Sequence, residues 1–151
     1  IIFNKIVFIN LKYKESIMAD RNWTNMDCLT YLFTAFAVYT DGDLDDDEKR
    51  VIVSETKKYV PDDAEDLHLE SLNKTLGWFN EDLKSDENTD DNDVVINTFV
   101  NIANYLKEKF DTPFLQHVHD DLVRIGKADG NYDKVEEGWA KIFAEVTGTE
   151  H

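Results

Sequence analysis

Cysteine, proline and long apolar runs are all scarce in this sequence of 151 residues. The one cysteine, Cys28, excludes an intramolecular disulfide and a zinc cluster built on cysteine, which fits a reducing, cytoplasmic setting. No apolar run reaches the ~18 to 20 residues that a transmembrane helix needs, so we expect no membrane insertion. Proline occurs only at Pro61 and Pro113, where helices can begin, so we expect uninterrupted helices elsewhere.

Basic residues are also few, with 16 Lys and Arg against 32 Asp and Glu, and the formal net charge is −16. A field of this sign repels nucleic-acid phosphates and attracts cations, so nucleic acid is a poor partner. Hydrophobic residues still make up 42% of the chain and aromatics 12%, enough to offset the entropy of ordering. The length predicts a single domain.

The first seventeen residues, IIFNKIVFINLKYKESI, differ in composition from the rest and contain one acid. A native start at Met18 would make residues 1–17 an N-terminal extension foreign to the domain and residues 18–151 the domain itself. The alternatives are a strand-like arm packed on the helices, or an export signal. No small-residue cleavage site follows the apolar stretch, which counts against the signal.

From Trp23 onward the apolar residues recur with a helical period, which predicts an all-α bundle of about six or seven helices. The first predicted helix, through about Tyr39, has its apolar residues on one side. These are Leu29, Leu32, Phe33, Phe36 and Ala37. The acidic stretch at residues 85–93, SDENTDDND, predicts an exposed loop that ends in an N-cap at Asp93 and divides the chain into halves. Gly148 is the expected stop of the last helix.

Two octets of the chain match each other, DGDLDDDE at residues 41–48 and DGNYDKVE at residues 129–136. Asp, Gly, Asp and Glu recur at the first, second, fifth and eighth positions, and the fourth position is apolar. Each octet lies between two predicted helices. The chain therefore contains an internal repeat of a helix, a DG loop and a helix, which predicts two pseudo-repeated halves.

Helix capping explains much of each octet. A glycine just past a helix is the usual left-handed stop, and Leu44 in the fourth position can pack on the core. Asp45 with Glu48, and Asp133 with Glu136, have the spacing of a capping box. Each such cap stabilises a helix by roughly 1 kcal/mol. This interpretation needs no ion.

A second interpretation is a site for a divalent cation. Oxygen-bearing side chains alternate at the first, third and fifth positions, the spacing by which a tight loop directs three oxygens at one hard cation. The glycine and the final acid are misplaced for an EF-hand, whose twelfth position would fall on Ile52 or Ala140. Oxygen ligands favour Ca²⁺ or Mg²⁺. The candidate metal ligands are Asp41, Asp43, Asp45, Glu48, Asp129, Asn131, Asp133 and Glu136.

The doubled motif resembles that of the tellurite-resistance TerB family of small all-helical bacterial domains, in which ADGxhxxxE recurs twice. The copies here are TDGDLDDDE and ADGNYDKVE, the second followed by IFAEVTG, and the similarity spans about residues 26–148. Thr40 stands where the family has Ala, and the first copy is unusually acidic, so tellurite resistance itself is not implied for this chain. The matching motif residues are Asp41, Gly42, Glu48, Asp129, Gly130 and Glu136.

The resemblance implies a compact bundle of two pseudo-equivalent halves. It also implies a metal-sensing role, and work as a module in bacterial stress-response complexes, including complexes at the inner membrane surface, without known catalysis.

Other candidate sites are weaker. EDLH at residues 65–68 has the ExxH spacing of an iron ligand pair, but a di-iron bundle needs a second such motif. His117 and Asp121 have chelate spacing on what we expect to be an exposed helix face. The pair His119 and Asp120 lacks the further histidines of a metal phosphohydrolase. We expect the tryptophans in the core or at its edges, with a partner-binding patch as the alternative.

The leading hypothesis is a non-enzymatic TerB-like domain that binds Ca²⁺ or another divalent cation weakly at its DG loops, has no organic cofactor, and acts through protein partners. The second is an acidic interaction module that docks a basic partner and binds no specific ion. The third is a metal-dependent hydrolase.

Overall fold

The computed structural model describes residues 21–38, 44–59, 65–88, 94–128 and 134–151, without the side chains of Glu65, Asp66, Asn88 and Ala128. These ranges contain no strand and six helices, which confirms the all-α prediction. The helices are α1 (Asn25–Val38), α2 (Asp46–Tyr59), α3 (Glu65–Asn88), α4 (Val94–Lys109), α5 (Thr112–Ala128) and α6 (Lys134–Thr147). Residues 1–17 and Met18 lie outside the described residues. None of the described helices combines the length and apolar character needed to cross a bilayer.

Helix α1 forms the centre of the bundle. It packs against α2, α3, α4 and α5, and every residue from Met26 to Phe36 is buried. The predicted apolar side, with Leu29, Leu32, Phe33 and Phe36, is buried and Ala37 is partly buried, but the opposite side is buried as well. With four helices around it, α1 also buries polar side chains, among them Asp27, Thr30 and Thr34. A helix enclosed in this way has no solvent face.

The second half of the chain packs around α6, which contacts both α4 and α5. Aromatic contacts join this half to α1, since the ring centroid of Phe99 lies 5.9 Å from that of Phe36 and 6.0 Å from that of Trp139. Trp139 is buried, and the partly buried Trp23 and Trp78 pack on each other with centroids 4.5 Å apart. The expected placement of the tryptophans in or beside the core is confirmed.

Helix α4 begins directly after the predicted loop at residues 85–93, as expected, but the start of this stretch differs from the prediction. Helix α3 continues to Asn88, so the first residues of the stretch 85–93 are helical, contrary to the prediction. Asp86 in the last turn of α3 accepts hydrogen bonds from the backbone N–H groups of Val94 and Val95, at 2.7 and 3.2 Å. It thereby satisfies donors at the start of α4. The expected cap, Asp93, lies outside the described residues.

The stop predicted at Gly148 is confirmed. Gly148 has φ +76, the left-handed conformation that glycine adopts without strain. Its N–H donates to the carbonyl oxygen of Ala144 at 2.9 Å, and the N–H of Thr149 donates to the same oxygen at 3.0 Å. These bonds close the last turn of α6.

A buried carboxylate, Asp82 of α3, ties together four parts of the chain. The Arg21 guanidinium donates to both of its oxygens, at 2.8 and 3.1 Å. The Tyr31 hydroxyl of α1 donates to Oδ2 at 2.6 Å, and the Thr98 hydroxyl of α4 lies 3.4 Å from the same oxygen. Burial, with the Asp82 charge beside it, raises the pKa of Tyr31 well above its usual range. The hydroxyl therefore stays protonated and remains a donor.

We predict that Asp82→Ala destabilises the fold by about 3–5 kcal/mol, because it leaves the buried Tyr31 hydroxyl without its acceptor and removes the buried carboxylate that pairs with Arg21. The measurement is the free energy of unfolding in urea. Glu81→Ala is the matched control, since Glu81 also pairs with Arg21, at 3.2 Å, but its side chain is 70% exposed. We expect the control to cost less than about 1 kcal/mol. Equal effects of the two changes would contradict the assigned role of Asp82.

A second prediction concerns Cys28, which is 1% exposed. Burial first, and the Asp27 charge second, raise the pKa of the Cys28 thiol from 9.0 to about 12. The thiolate forms first in the unfolded chain, so this group's contribution to stability is complete below pH 9 and declines as the pH rises towards 12. At pH 9 we expect iodoacetamide to leave the folded protein unmodified and to alkylate it in urea, as mass spectrometry would show. Rapid alkylation without urea would contradict the burial of this thiol.

Candidate functional site

The first octet joins α1 to α2. Asp41, Gly42 and Asp43 lie outside the described residues, so their predicted role as ligands stays a prediction. Leu44, in the fourth position, is buried in the core, as expected from the sequence. Helix α2 begins at Asp46, the sixth position of the octet.

Asp45 caps helix α2. Its Oδ1 accepts a hydrogen bond from the backbone N–H of Glu48 at 2.8 Å, and its carbonyl oxygen accepts from the N–H of Lys49 at 3.0 Å. This is the first half of the predicted capping box. The carboxylate is exposed and lies at the positive end of the α2 dipole, which favours its charge.

The second octet joins α5 to α6, and Asp129, Asn131 and Asp133 lie outside the described residues, as does Gly130. Helix α6 begins at Lys134, which is again the sixth position of the octet. The two copies therefore start their following helices in the same register. The conformation of both octets before their sixth position, apart from Leu44 and Asp45, lies outside the described residues, so the repeat of helix, loop and helix stays a prediction.

The eighth positions of the two octets differ in burial. Glu48 is partly exposed, whereas Glu136 has 0% of its surface exposed. Both lie in the first turn of their helix, where the helix dipole favours a negative charge. A carboxylate without exposed surface needs such compensation, because its loss of hydration costs free energy. The second junction is therefore the more tightly packed of the two at this position.

Within the described ranges there is no group of three or more His, Cys, Asp or Glu side chains that could hold a metal ion. Of the eight predicted ligands, Asp45, Glu48 and Glu136 are described, and the described chain does not bring these three together as one metal site. The other five lie outside it. The calcium or magnesium site therefore stays a prediction about the two loops.

A charged network links α2 to α5, the helices that follow the first octet and precede the second. The buried carboxylate of Glu55 accepts from Lys58 at 2.9 Å and from Arg124. Arg124 also contacts Asp121 at 3.1 Å, and Asp121 accepts from the Tyr59 hydroxyl. Burial, and then the bond to Asp121, raise the pKa of Tyr59, while the bond to Glu55 raises that of Arg124. The network connects the second half of α2 to α5.

Sequence reasoning missed a histidine contact at the end of the chain. His119 of α5 is buried, with Nδ1 3.0 Å from Oδ1 of Asp120 and Nε2 3.0 Å from Nδ1 of His151. Desolvation alone would raise the pKa of Asp120, but the hydrogen bonds with His119 and Gln116 lower this pKa. The Gln116 side chain also accepts from the N–H of Glu150 and donates to its carbonyl, at 2.9 and 2.8 Å. These contacts hold residues 149–151 on α5.

The two remaining histidines differ in burial. His117 is exposed, as expected. His68, from the ExxH stretch, is buried with Nδ1 3.0 Å from the Thr56 hydroxyl, so it joins α3 to α2. No signal in the sequence separates His68 and His119 from exposed histidines, because both depend on contacts distant along the chain.

A cleft of about 420 Å³ lies at the start of α1. Asp27 accepts from the Ser71 hydroxyl at 2.6 Å and from the Lys74 ammonium at 2.7 Å. Its carboxylate also accepts from the backbone N–H of Thr24 at 3.0 Å, while the Thr24 hydroxyl accepts from the Asp27 N–H at 3.1 Å. The carboxylate is thus fully engaged in holding α1 to α3, a structural role.

Comparisons with known proteins give no family to which the chain can be assigned. No protein-family model matches it, and neither the curated proteins nor the solved structures contain a significant match. The likeness to TerB domains therefore rests on the doubled octet alone, and the function has to be argued from the residues.

Proposed function

We propose that this protein is a non-enzymatic, TerB-like interaction module whose two DG octets bind a divalent cation weakly and transmit its presence to protein partners. The repeated register supports the proposal: α2 begins at Asp46 and α6 at Lys134, the same position of each octet. We expect two octets that precede their helices in the same register to have the same function. Ca²⁺ fits the oxygen-bearing side chains of both octets.

The physical effect of the ion follows from the charge of the loop. Six carboxylates occupy the eight positions from Asp41 to Glu48 and repel one another. A bound cation relieves this repulsion and stiffens the junction. Asp45 carries the effect into α2, because its carboxylate caps that helix. The network from Glu55 to Arg124 extends it to α5.

The partners in this proposal are proteins of a bacterial stress response, some of them at the inner membrane surface, as the TerB resemblance implies. Ion binding would make the two junctions more rigid. A partner that contacts the junctions would then bind the ion-bound and the ion-free states with different affinities. Such a differential affinity is what a ligand needs in order to shift an equilibrium.

A second candidate function needs no ion. The Asp45 carboxylate already has a structural role as a cap, and the helix dipoles favour acids in the first turns of α2 and α6. In that case the acidic surface, with the net charge of −16, docks a basic partner directly. Salt would weaken such binding steeply.

Two substitutions at Asp45 separate these functions. Asparagine caps helices about as well as aspartate, so Asp45→Asn should leave the calcium-free melting temperature nearly unchanged. Asp45→Ala should cost about 1 kcal/mol through the lost cap. If the octet binds Ca²⁺, both changes should reduce the rise in melting temperature that Ca²⁺ produces in the unaltered protein.

The readouts are the melting temperature and amide NMR shifts during a Ca²⁺ titration. Glu145→Gln, at an exposed position of α6, is the control for a lost acid outside the octets. Saturable shifts confined to residues 41–48 and 129–136 are expected, and Glu145→Gln should preserve them. Shifts that never saturate, or that spread evenly over the acidic surface, would contradict Ca²⁺ binding by the octets and leave capping as the role of Asp45.

A further inference from the structure

One surface of α2 is basic although the protein is acidic. A cavity of about 330 Å³ between α2 and α3 is lined by α2 residues, several of them cationic, and by one leucine of α3. We call it the basic groove, and its residues are Asp46, Lys49, Arg50, Val53, Ser54, Lys57 and Leu69.

Helix periodicity gathers these cations from a mixed sequence. Lys49, Val53 and Lys57 follow one another at intervals of four residues, and Arg50 and Ser54 do the same, so all five share one side of α2. The rise of an α-helix places Lys49 and Lys57 about 12 Å apart along the axis. Of the acidic residues of α2, only Asp46 lines the groove.

The groove also offers apolar surface. Leu69 is 38% exposed, one of the most exposed large apolar side chains in the described chain, and Val53 beside it is buried. A short row of cations beside a partly exposed leucine matches a ligand that has carboxylates next to an apolar side chain. Phosphate groups would leave Leu69 in water.

One ion pair at the groove is weak. Arg50 contacts Asp47 at 3.3 Å, and both side chains are largely exposed, at 79% and 89%. Exposed pairs of this kind contribute about 0–1 kcal/mol. An incoming carboxylate can therefore take the place of Asp47 at little cost.

We propose that the basic groove binds an acidic peptide segment of a partner protein, with carboxylates for Lys49, Arg50 and Lys57 and an apolar side chain for Leu69. Charge complementarity favours this occupant. The groove has three cations and one acid, so a short segment with few carboxylates can pair with them and adds little repulsion, whereas a second copy of this chain would bring 16 net negative charges and a nucleic acid many phosphates. The three cations of the groove lie outside both octets, so the inference does not rest on cation binding.

The test uses fluorescence anisotropy with a labelled helical peptide that carries glutamates two turns apart and a leucine between them, in EDTA. Saturable binding is expected. Lys49→Glu combined with Lys57→Glu should weaken it about ten-fold or more. The matched control combines Lys84→Glu with Lys141→Glu, which makes the same change in net charge at exposed positions of α3 and α6. The control should lose less than about three-fold, because distant exposed charges are screened.

The apolar contact has its own matched pair on α3. Leu69→Gln should weaken peptide binding several-fold, whereas Leu67→Gln should not, since Leu67 is 48% exposed but lines the other cleft. Circular dichroism checks that each variant is folded. If the charge-reversed variant does not fold, Lys49→Gln with Lys57→Gln replaces it, and the leucine pair stands independently.

Three outcomes would overturn the proposal. One is the absence of saturable binding at millimolar peptide. Another is an equal loss in the two lysine pairs, which would show that net charge alone attracts the peptide. The third is equally tight binding of single-stranded DNA or anionic vesicles with the same dependence on Lys49 and Lys57, which would make the groove a general anion surface. Binding that depends on Lys49, Lys57 and Leu69 and is selective for the peptide supports it.

Discussion

The burial of helix α1 on every side is the constraint on which the rest of the structure depends. A helix with no solvent face needs partners for its polar side chains, because an unpaired polar group in the interior costs free energy. Of the buried polar residues of α1 named above, only the Thr34 hydroxyl makes no hydrogen bond within the described residues. Helix α3 supplies most of the partners: Ser71 and Lys74 contact Asp27, and Asp82 accepts the Tyr31 hydroxyl. Ser71, Lys74 and Asp82 of α3 are therefore positioned by their contacts with α1, while the opposite side of α3 is exposed.

The sequence predicted the helices well because their apolar period is strong, and it predicted the caps at Asp45 and Gly148 because Asp and Gly act locally. Its errors arose where distant contacts decide. In the sequence pattern, Asp27 and Thr30 are typical of an exposed helix face. They are buried because four helices pack around α1. Asp82 cannot be distinguished from the other acids by sequence, since its partner Arg21 lies 61 residues away. Asp86 caps the next helix across a loop, a contact that periodicity does not encode.

The candidate site also has features that the sequence predicted and features that it did not. The common register of α2 and α6 was foreseeable, because it follows from the octet itself. The contrast between the partly exposed Glu48 and the buried Glu136 was not, because it depends on neighbours: α2 packs on α1 and α3, whereas α6 packs on α4 and α5. The basic groove was hidden for another reason. Its cations are interspersed with acids and apolar residues along the chain, and the helical period gathers three of them on one side of α2.

Helix α2 carries both the first octet's cap and the basic groove, so the two proposals are physically coupled. Asp45 and Glu48 lie within one or two turns of Lys49 and Arg50, and their negative charge opposes the approach of an acidic peptide. A cation bound at the octet would cancel part of that charge and strengthen peptide binding. By thermodynamic reciprocity, the peptide would then strengthen cation binding by the same factor. If the octet is only a cap, peptide affinity should be the same in Ca²⁺ and in EDTA at matched ionic strength, so one titration in the two buffers distinguishes a sensor from a simple docking module.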